Sequence, residues 1–186
     1  MPRRFLITGF GAFGEISNNP SGRILSELHQ RLQSDFPRLR IEAAWLPVRP
    51  GILDSLPLEG FASIFLLGVD AKAQAIRLET TARNQFKGRP MGDPIPIDPA
   101  LPASAERQVP PLPKRFSREG LSHGLAFGPG SPGTAGDYVC NDSLFRALGR
   151  NRASYFIHLP NRPPADDERL IEVVSELISE IIARII

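Results

Sequence analysis

Short apolar runs recur along the chain, separated by polar and loop-forming segments. Four of these runs have the length and composition of buried strands: residues 5–8, 41–46, 64–67 and 155–159. Each run is followed at once by a glycine or a proline, as Gly68 follows the third, and these residues commonly end regular structure. The pattern predicts four short strands that are covered on both faces.

Two other stretches have the periodicity of helices. Pro20 suits the first turn of a helix, and apolar residues follow it at positions 24, 25, 28 and 32. Near the C-terminus, residues 170–185 carry one apolar stripe, with Glu172, Glu176 and Glu180 off the stripe. Strands that alternate with amphipathic helices predict an α/β fold whose central sheet is mostly parallel.

Length and composition narrow the functional classes. A chain of 186 residues is long enough for one domain with its own core, and we expect a single domain over 1–186. The net charge is only +2, and the basic residues are scattered along the chain. This pattern indicates no nucleic-acid partner. No apolar run approaches the ~20 residues of a membrane span, and the N-terminus lacks a signal-peptide pattern.

The lone cysteine, Cys140, excludes an internal disulfide and a cysteine-rich zinc site. The missing signal-peptide pattern favours a cytoplasmic protein. We also expect no metal, no cofactor and no membrane partner. Residues 90–113 are rich in proline and lack periodicity. Because neither side of this segment has the appearance of a complete domain, we interpret it as a surface excursion, which is often functional when it is long.

A glycine-rich turn follows the first apolar run. The glycines of residues 9–14 match the G-x-G-x-x-G pattern of dinucleotide sites. However, the residues after the third glycine are loop-like where that site needs a helix, and Glu15 would repel a pyrophosphate. We therefore favour a tight turn. Phe10 and Phe13 lie at the carboxyl end of a strand, where open α/β sheets bind ligands; they either form an apolar pocket or pack in the core.

Three side chains are candidates for nucleophilic catalysis. Cys140 precedes a helical pattern, and a helix N-terminus stabilises a thiolate; the alternative is an inert buried thiol. His158 either faces a ligand crevice or is satisfied in the core, and Glu79 is by default a solvated carboxylate. A lone cysteine with a distant histidine is typical of thiol catalysis, although spacing alone does not show that the three residues meet. His29 and His123 suit surface positions.

Several short motifs follow one another in a defined order over most of the chain. They are T-G-F-G-A-F-G at 8–14, N-P-S at 19–21, L-P-V at 46–48, I-R-L-E at 76–79, T-A-G-D-Y-V-C-N at 134–141 and F-I-H-L-P at 156–160. Together they resemble the motifs of pyroglutamyl peptidase I, the pyrrolidone-carboxylate peptidase family of cysteine peptidases. The separation of Gly68 and Glu79 is also similar to that of the family.

The resemblance implies a fold and an activity. The fold is a three-layer α/β/α sandwich, and the activity is removal of an N-terminal pyroglutamyl residue from peptides through a thioester acyl-enzyme. Cys140 is implied to be the nucleophile, His158 the base and Glu79 the residue that orients the histidine. The implied partner is a peptide with a blocked N-terminus, and the family resemblance favours a homo-oligomer, either a dimer or a tetramer.

The resemblance also implies a substrate pocket. Phe10, Phe13, Tyr138 and Val139 fall on positions that line the family's pocket for the lactam ring. The residue types suit that substrate, because pyroglutamate is flat, neutral and partly apolar, and it has no free amine that a carboxylate could bind.

Departures from the family pattern surround the candidate catalytic residues. Val69 and Ala73 stand where the family often has glutamine and arginine, and Thr80 replaces the arginine after the glutamate. These changes leave Glu79, Cys140 and His158 in place and alter their surroundings. Two alternatives therefore remain: a related amide or lactam hydrolase of altered specificity, and a non-catalytic binding homologue.

Overall fold

A seven-stranded sheet forms the centre of the protein. The computed structural model describes residues 2–88, 93–130 and 135–186. In chain order the strands are β1 (Arg4–Phe10), β2 (Arg40–Leu46), β3 (Ser63–Asp70), β4 (Ile76–Leu78), β5 (Thr81–Arg83), β6 (Glu106–Gln108), β7 (Gly120–Ser122), β8 (Leu125–Pro129) and β9 (Ser154–Pro160). The sheet has the order β2-β1-β3-β9-β4-β8-β7, and β5 pairs separately with β6.

The sheet is mostly parallel, as the sequence predicts. Strands β1, β2, β3 and β9 run in one direction. Strands β4 and β8 are parallel to each other, but β4 is antiparallel to β9. The carboxyl ends of β1, β3 and β9 therefore lie at one edge of the sheet, where the amino end of β4 meets them.

Helices cover both faces of the sheet, which confirms the three-layer α/β/α architecture. They are α1 (Pro20–Arg23), α2 (Leu25–Asp35), α3 (Val139–Arg150) and α4 (Asp167–Ile185). Leu67 of β3 packs in a buried cluster with residues of α2 and α4. Its neighbour Leu66 belongs to a second cluster that includes Phe145 of α3. The α3 face and the α4 face each have their own core, because successive strand residues point to opposite faces.

The element boundaries differ from the predictions at several places. Strand β1 continues through Gly9 to Phe10, and β9 includes Pro160. The helix predicted from residue 20 is divided into α1 and α2 at Ile24, whose dihedral angles stay helical (φ −81, ψ −11). The third strand was predicted to stop before Gly68, but β3 continues to Asp70, and Gly68 pairs with His158 of β9. That prediction was wrong because packing of β9 against this glycine favours the extended backbone over the usual tendency of glycine to end a strand.

The proline-rich excursion is anchored to the segment that follows Glu79. The buried side chain of Asn84 donates hydrogen bonds to the Asp98 carbonyl at 2.8 Å and the Leu101 carbonyl at 3.0 Å. Strand β6 then returns to pair with β5. Pro90, at the start of the interval 90–113, lies outside the described residues. None of the described helices combines the length and the apolar character that a membrane span requires.

Candidate active site

His158 and Glu79 meet because their strands are neighbours. His158 of β9 pairs with Arg77 of antiparallel β4, and Glu79 follows directly after β4. His158 Nδ1 and Glu79 Oε1 are 2.7 Å apart, and the two residues are only 7% and 4% exposed. Since a carboxylate can only accept a hydrogen bond, Nδ1 carries a proton and donates a hydrogen bond to Glu79. The ring is thereby fixed with Nε2 free to act on a substrate.

Cys140 reaches the same place from the opposite direction. It is the second residue of α3 and is partly exposed. Its sulfur lies near enough to the His158 ring to raise the pKa of that ring. The first N–H groups of a helix lack intrahelical partners, so the Cys140 N–H is a donor for a negative oxygen beside the sulfur. The structure therefore brings together the three residues that the family resemblance assigns to catalysis.

Gly68 leaves the room that this approach requires. A Cβ atom at this position would lie 2.6 Å from Phe156 Cζ and 3.2 Å from Cys140 Sγ. The first separation is closer than real Cβ contacts, so a larger residue would displace the sulfur or the ring. Gly130 has a related role, because a Cβ there would collide with Glu79 Oε2.

The charge of His158 follows from its neighbours. Burial disfavours the charged ring and lowers its pKa, but the Cys140 sulfur and the Glu79 carboxylate outweigh burial and raise the pKa of His158 from 6.5 to about 10. The imidazolium form is therefore stabilised at neutral pH, beside the sulfur. A thiolate next to an imidazolium is the arrangement that makes a cysteine nucleophilic.

An apolar pocket opens next to the sulfur. It has a cavity volume of about 40 Å³ and is lined by Phe10, Phe13, Asn19, Val48, Val69, Tyr138, Val139 and Cys140. All four predicted pocket residues are among them. Tyr138 lies between two phenyl rings, with centroid distances of 5.5 Å to Phe13 and 5.5 Å to Phe86. Phe10 is 3% exposed and belongs to the α3-side core, so it both packs in the core and lines the pocket.

Three lining residues were not predicted as site residues: Asn19, Val48 and Val69. Asn19 and Val48 lie in the N-P-S and L-P-V motifs, which were the available signal. Asn19 holds the glycine-rich turn, because its Nδ2 donates to the Gly11 carbonyl at 2.9 Å and its Oδ1 accepts from Ser21 N at 3.0 Å. The turn is thus a wall of the pocket.

The glycine-rich turn does not have the geometry of a phosphate site. The first glycine lies within β1, and its hydrogen faces the Ser21 carbonyl. Gly14 has a φ of 55°, and the next helix begins only at Pro20. The structure thus agrees with the tight turn that the sequence favours.

Other predicted positions lie around the site or away from it. Ala73 is buried in the turn after β3, and its N–H donates to the Asp70 carbonyl at 3.1 Å. His29 Nε2 lies 2.9 Å from the Ile41 carbonyl, and the half-exposed His123 pairs with Glu172 at 2.9 Å. Residue 134 of the T-A-G-D-Y-V-C-N motif lies outside the described residues. Within 2–88, 93–130 and 135–186, no group of His, Cys, Asp and Glu has an arrangement that would hold a metal ion.

Comparison with known proteins identifies a relative that is similar to this chain over almost its whole length. No family model matches the chain. A pyrrolidone-carboxylate peptidase from Halalkalibacterium halodurans is 28% identical over 205 residues, covering 95% of this chain and 98% of the relative. The chain is a homologue of the pyrrolidone-carboxylate peptidases.

Solved structures support the same relationship. The pyrrolidone carboxyl peptidase of Thermus thermophilus is 26% identical and has a TM-score of 0.70, with coverage of 94% of this chain and 96% of that one. The enzyme of Pyrococcus furiosus has a TM-score of 0.77 at 22% identity, with coverage of 98% and 100%. The homology therefore extends over nearly the whole chain, and at the lower identity the likeness is one of fold.

Proposed function

We propose that this protein is a cysteine peptidase that removes an N-terminal pyroglutamyl residue from peptides. The observation that carries the proposal is the convergence of Glu79, His158 and Cys140 beside an apolar aromatic pocket. A structural role alone would not require a buried carboxylate hydrogen-bonded to an imidazole, with a thiol beside the same imidazole, at the mouth of a cavity. The homology to pyrrolidone-carboxylate peptidases supports the same activity.

The residues suit a two-step mechanism. The Cys140 thiolate attacks the pyroglutamyl carbonyl carbon, and the carbonyl oxygen takes the negative charge against N–H groups at the start of α3. The imidazolium of His158 donates a proton to the departing nitrogen as the C–N bond breaks, which leaves a thioester. His158 then accepts a proton from water, the water oxygen attacks the thioester, and pyroglutamate leaves as Cys140 becomes a thiolate again.

The pocket explains the proposed selectivity. Its lining is aliphatic and aromatic apart from Asn19 and the thiol, which suits a neutral five-membered lactam. A free N-terminal ammonium would lose its hydration there and find no carboxylate among the lining residues, which is costly. We therefore assign substrate binding to Phe10, Phe13, Tyr138 and Val139.

The proposal is tested with a pyroglutamyl arylamide whose release is followed by fluorescence. Cys140→Ser should lower kcat/KM by at least about a thousandfold, because a hydroxyl replaces the thiolate nucleophile. Ser143→Ala is the matched control, since its buried hydroxyl lies in the same helix and makes no hydrogen bond to the described residues. The control should retain activity.

Iodoacetamide labelling separates the alternatives. Rapid labelling of Cys140 without turnover of the arylamide would favour an amide or lactam hydrolase of different specificity, for which the substitutions at Val69 and Ala73 provide a reason. Labelling no faster than that of a free peptide cysteine would favour a non-catalytic binding homologue. Either outcome would contradict the proposed activity.

The proposal extends to the setting of the enzyme. A catalysis that depends on one free thiol suits a reducing compartment, so we place the protein in the cytoplasm. We also propose a homo-oligomer, since Trp45 on the edge strand β2 is 61% exposed; sedimentation velocity tests this. Residues 1–186 are proposed to act as one domain, with 90–113 as a proline-rich surface excursion.

A further inference from the structure

Arg77 lies in the same row of the sheet as the catalytic histidine. Gly68 of β3 pairs with His158 of β9, and His158 pairs with Arg77 of β4. Ile76 and Leu78, on either side of Arg77, are buried in the α4-side core. Because side chains alternate along a strand and directly paired residues share a face, the Arg77 side chain lies on the α3 face with the imidazole.

The site residues follow one another in a fixed order from strand to strand, across the end of the sheet where β1, β3 and β9 finish. The pocket lies toward β1 and β3, where Phe10 and Val69 line it. The Cys140 sulfur lies over Gly68, His158 follows on β9, and Arg77 follows on β4. The order is therefore pocket, sulfur, imidazole and guanidinium.

A substrate must follow the same order. With its lactam ring in the pocket, its carbonyl carbon lies at the sulfur and its departing nitrogen at the imidazole that protonates it. The leaving peptide then continues toward β4. Among residues 2–88, 93–130 and 135–186, the charged side chain paired with His158 in that direction is Arg77. Arg77 forms an ion pair of 3.4 Å with Asp70 and has a side chain that is 38% exposed. A ligand can therefore reach the guanidinium.

We propose that Arg77 is a specificity-determining residue that binds the leaving peptide. This rests on the proposed pyroglutamyl peptidase activity. The guanidinium donates to carbonyl oxygens of the leaving peptide and, when only one residue follows the pyroglutamyl group, to its terminal carboxylate. Arginine suits this role because its planar donors match a carboxylate.

A groove continues from Arg77 across the sheet. Gly128 of β8 pairs with Arg77 and presents no side chain, while Ala126 of β8 and Leu121 of β7 are exposed. These residues share the groove with Lys72 and Glu119. The floor of the groove is made of small residues, and its sides carry one positive charge, one negative charge and one exposed leucine. Such a groove suits an extended peptide of varied sequence.

The test compares pyroglutamyl-alanine with its C-terminal amide. The readout is the ratio of the two kcat/KM values within one protein preparation, which does not depend on the fraction of active enzyme. Arg77→Gln should lower the acid-to-amide ratio about fivefold, the size expected for a partly exposed charge-assisted contact. Arg77→Lys keeps the charge but not the planar donors, so the ratio should fall less than in Arg77→Gln.

Two further variants identify the cause. Asp70→Asn removes the ion pair and leaves the guanidinium, so the ratio should stay the same or rise. Arg31→Gln removes an exposed arginine of α2, on the other face of the sheet, and should leave both rates unchanged. An equal fall in Asp70→Asn would overturn the proposal, because the effect would then come from the ion pair.

The outcomes also separate this proposal from the proposed function. If the wild-type protein hydrolyses both substrates in a Cys140-dependent manner and Arg77→Gln leaves the ratio unchanged, only the role of Arg77 is overturned. If the wild-type protein hydrolyses neither substrate nor the arylamide, the activity and the role of Arg77 fall together.

Discussion

The two sides of Cys140 are built differently. On one side, the pocket is enclosed by aromatic and aliphatic side chains from β1, β3 and the start of α3. On the other side, the surface along β4 and β8 is open and carries Arg77, Lys72 and Glu119. One sheet edge thus presents an apolar cavity and a charged groove on opposite sides of one sulfur.

The contrast corresponds to two parts of the proposed substrate. The lactam ring is always the same, so a cavity of defined shape can select it. The leaving peptide varies, so exposed groups that make weak contacts suit it better. Burying an apolar side chain is worth about 1.5–3 kcal/mol, whereas an exposed ion pair is worth about 0–1 kcal/mol. Substitutions should therefore have larger effects in the catalytic centre and pocket than in the groove.

The largest effect is expected at the centre, where Glu79→Gln removes the charge that orients and stabilises the imidazolium. We expect kcat to fall about a thousandfold for all substrates alike. The pKa of His158 should also fall, because the carboxylate is one of the groups that raise it to about 10. The imidazolium is then lost at lower pH, so the alkaline limb of the pH–kcat profile should move to lower pH.

The same substitution affects stability with a defined sign. A histidine whose pKa is raised on folding from 6.5 to about 10 stabilises the folded state fully below pH 6.5 and loses that contribution as the pH rises toward 10. The stability lost in Glu79→Gln should therefore shrink as the pH rises through this interval. Glu106→Gln, at an exposed ion pair with Arg83, is the control. An unmoved alkaline limb would contradict the assigned role of Glu79.

A somewhat smaller effect is expected from Gly68→Ala, which lies between the two regions. The added methyl group would lie 2.6 Å from Phe156 Cζ and 3.2 Å from Cys140 Sγ, so the sulfur or the ring must move. Misplacing a reacting group by about 1 Å costs about a hundredfold in rate. Hydrolysis of pyroglutamyl-alanine and of its C-terminal amide should fall equally, since neither the pocket nor the groove is altered directly.

Gly60→Ala is the matched control for this substitution. Its added methyl group would lie 3.1 Å from Arg4 Nη1, the end of a flexible side chain that can move aside. Iodoacetamide labelling of Cys140 should slow in Gly68→Ala and stay constant in Gly60→Ala. Unchanged labelling and unchanged turnover in Gly68→Ala would show that the close approach of sulfur and β3 is not required.

The pocket side is tested by Tyr138→Ala. Tyr138 lies 5.5 Å from both the Phe13 and Phe86 rings, so its removal opens the wall of the cavity. We expect kcat/KM for the arylamide to fall about tenfold, mainly through a higher KM, because apolar contact with the lactam is lost. Tyr138→Phe keeps the ring and should keep most of the activity; an equal loss in both variants would instead assign the effect to the hydroxyl group.

The comparison also shows what the sequence can predict. The apolar runs at 5–8 and 155–159 lie within β1 and β9, because continuous apolar runs favour buried strands. Both strands include the residue that was predicted to end them, Gly9 or Pro160. The motifs around Cys140, His158 and the pocket were recognisable because they are local strings. The convergence of Glu79 and His158 was not derivable from spacing, since it depends on β4 pairing antiparallel with β9.

The sequence analysis did not predict the groove next to Arg77, for a related reason. Strand β4 has only three residues, Ile76–Leu78, which is too short for a period-two pattern to be recognised. Arg77 therefore had no sequence signal of its own, and only the register with His158 shows its place. The raised pKa of His158 depends likewise on burial and neighbours that the chain order does not contain.

The smallest effect is expected at the far end of the groove. Leu121 on β7 is 75% exposed, and it lies two strands from Arg77, or about 10 Å at ordinary strand spacing. A dipeptide should not reach it, whereas a peptide with several residues after the pyroglutamyl group should cover it. Leu121→Ser should therefore lower the long-to-short ratio of kcat/KM about two- to threefold, since only part of the side chain is buried by the peptide. Ile186→Ser, at an exposed C-terminal residue, should leave the ratio unchanged, and an equal change in the two variants would show that the peptide does not follow the sheet beyond Arg77.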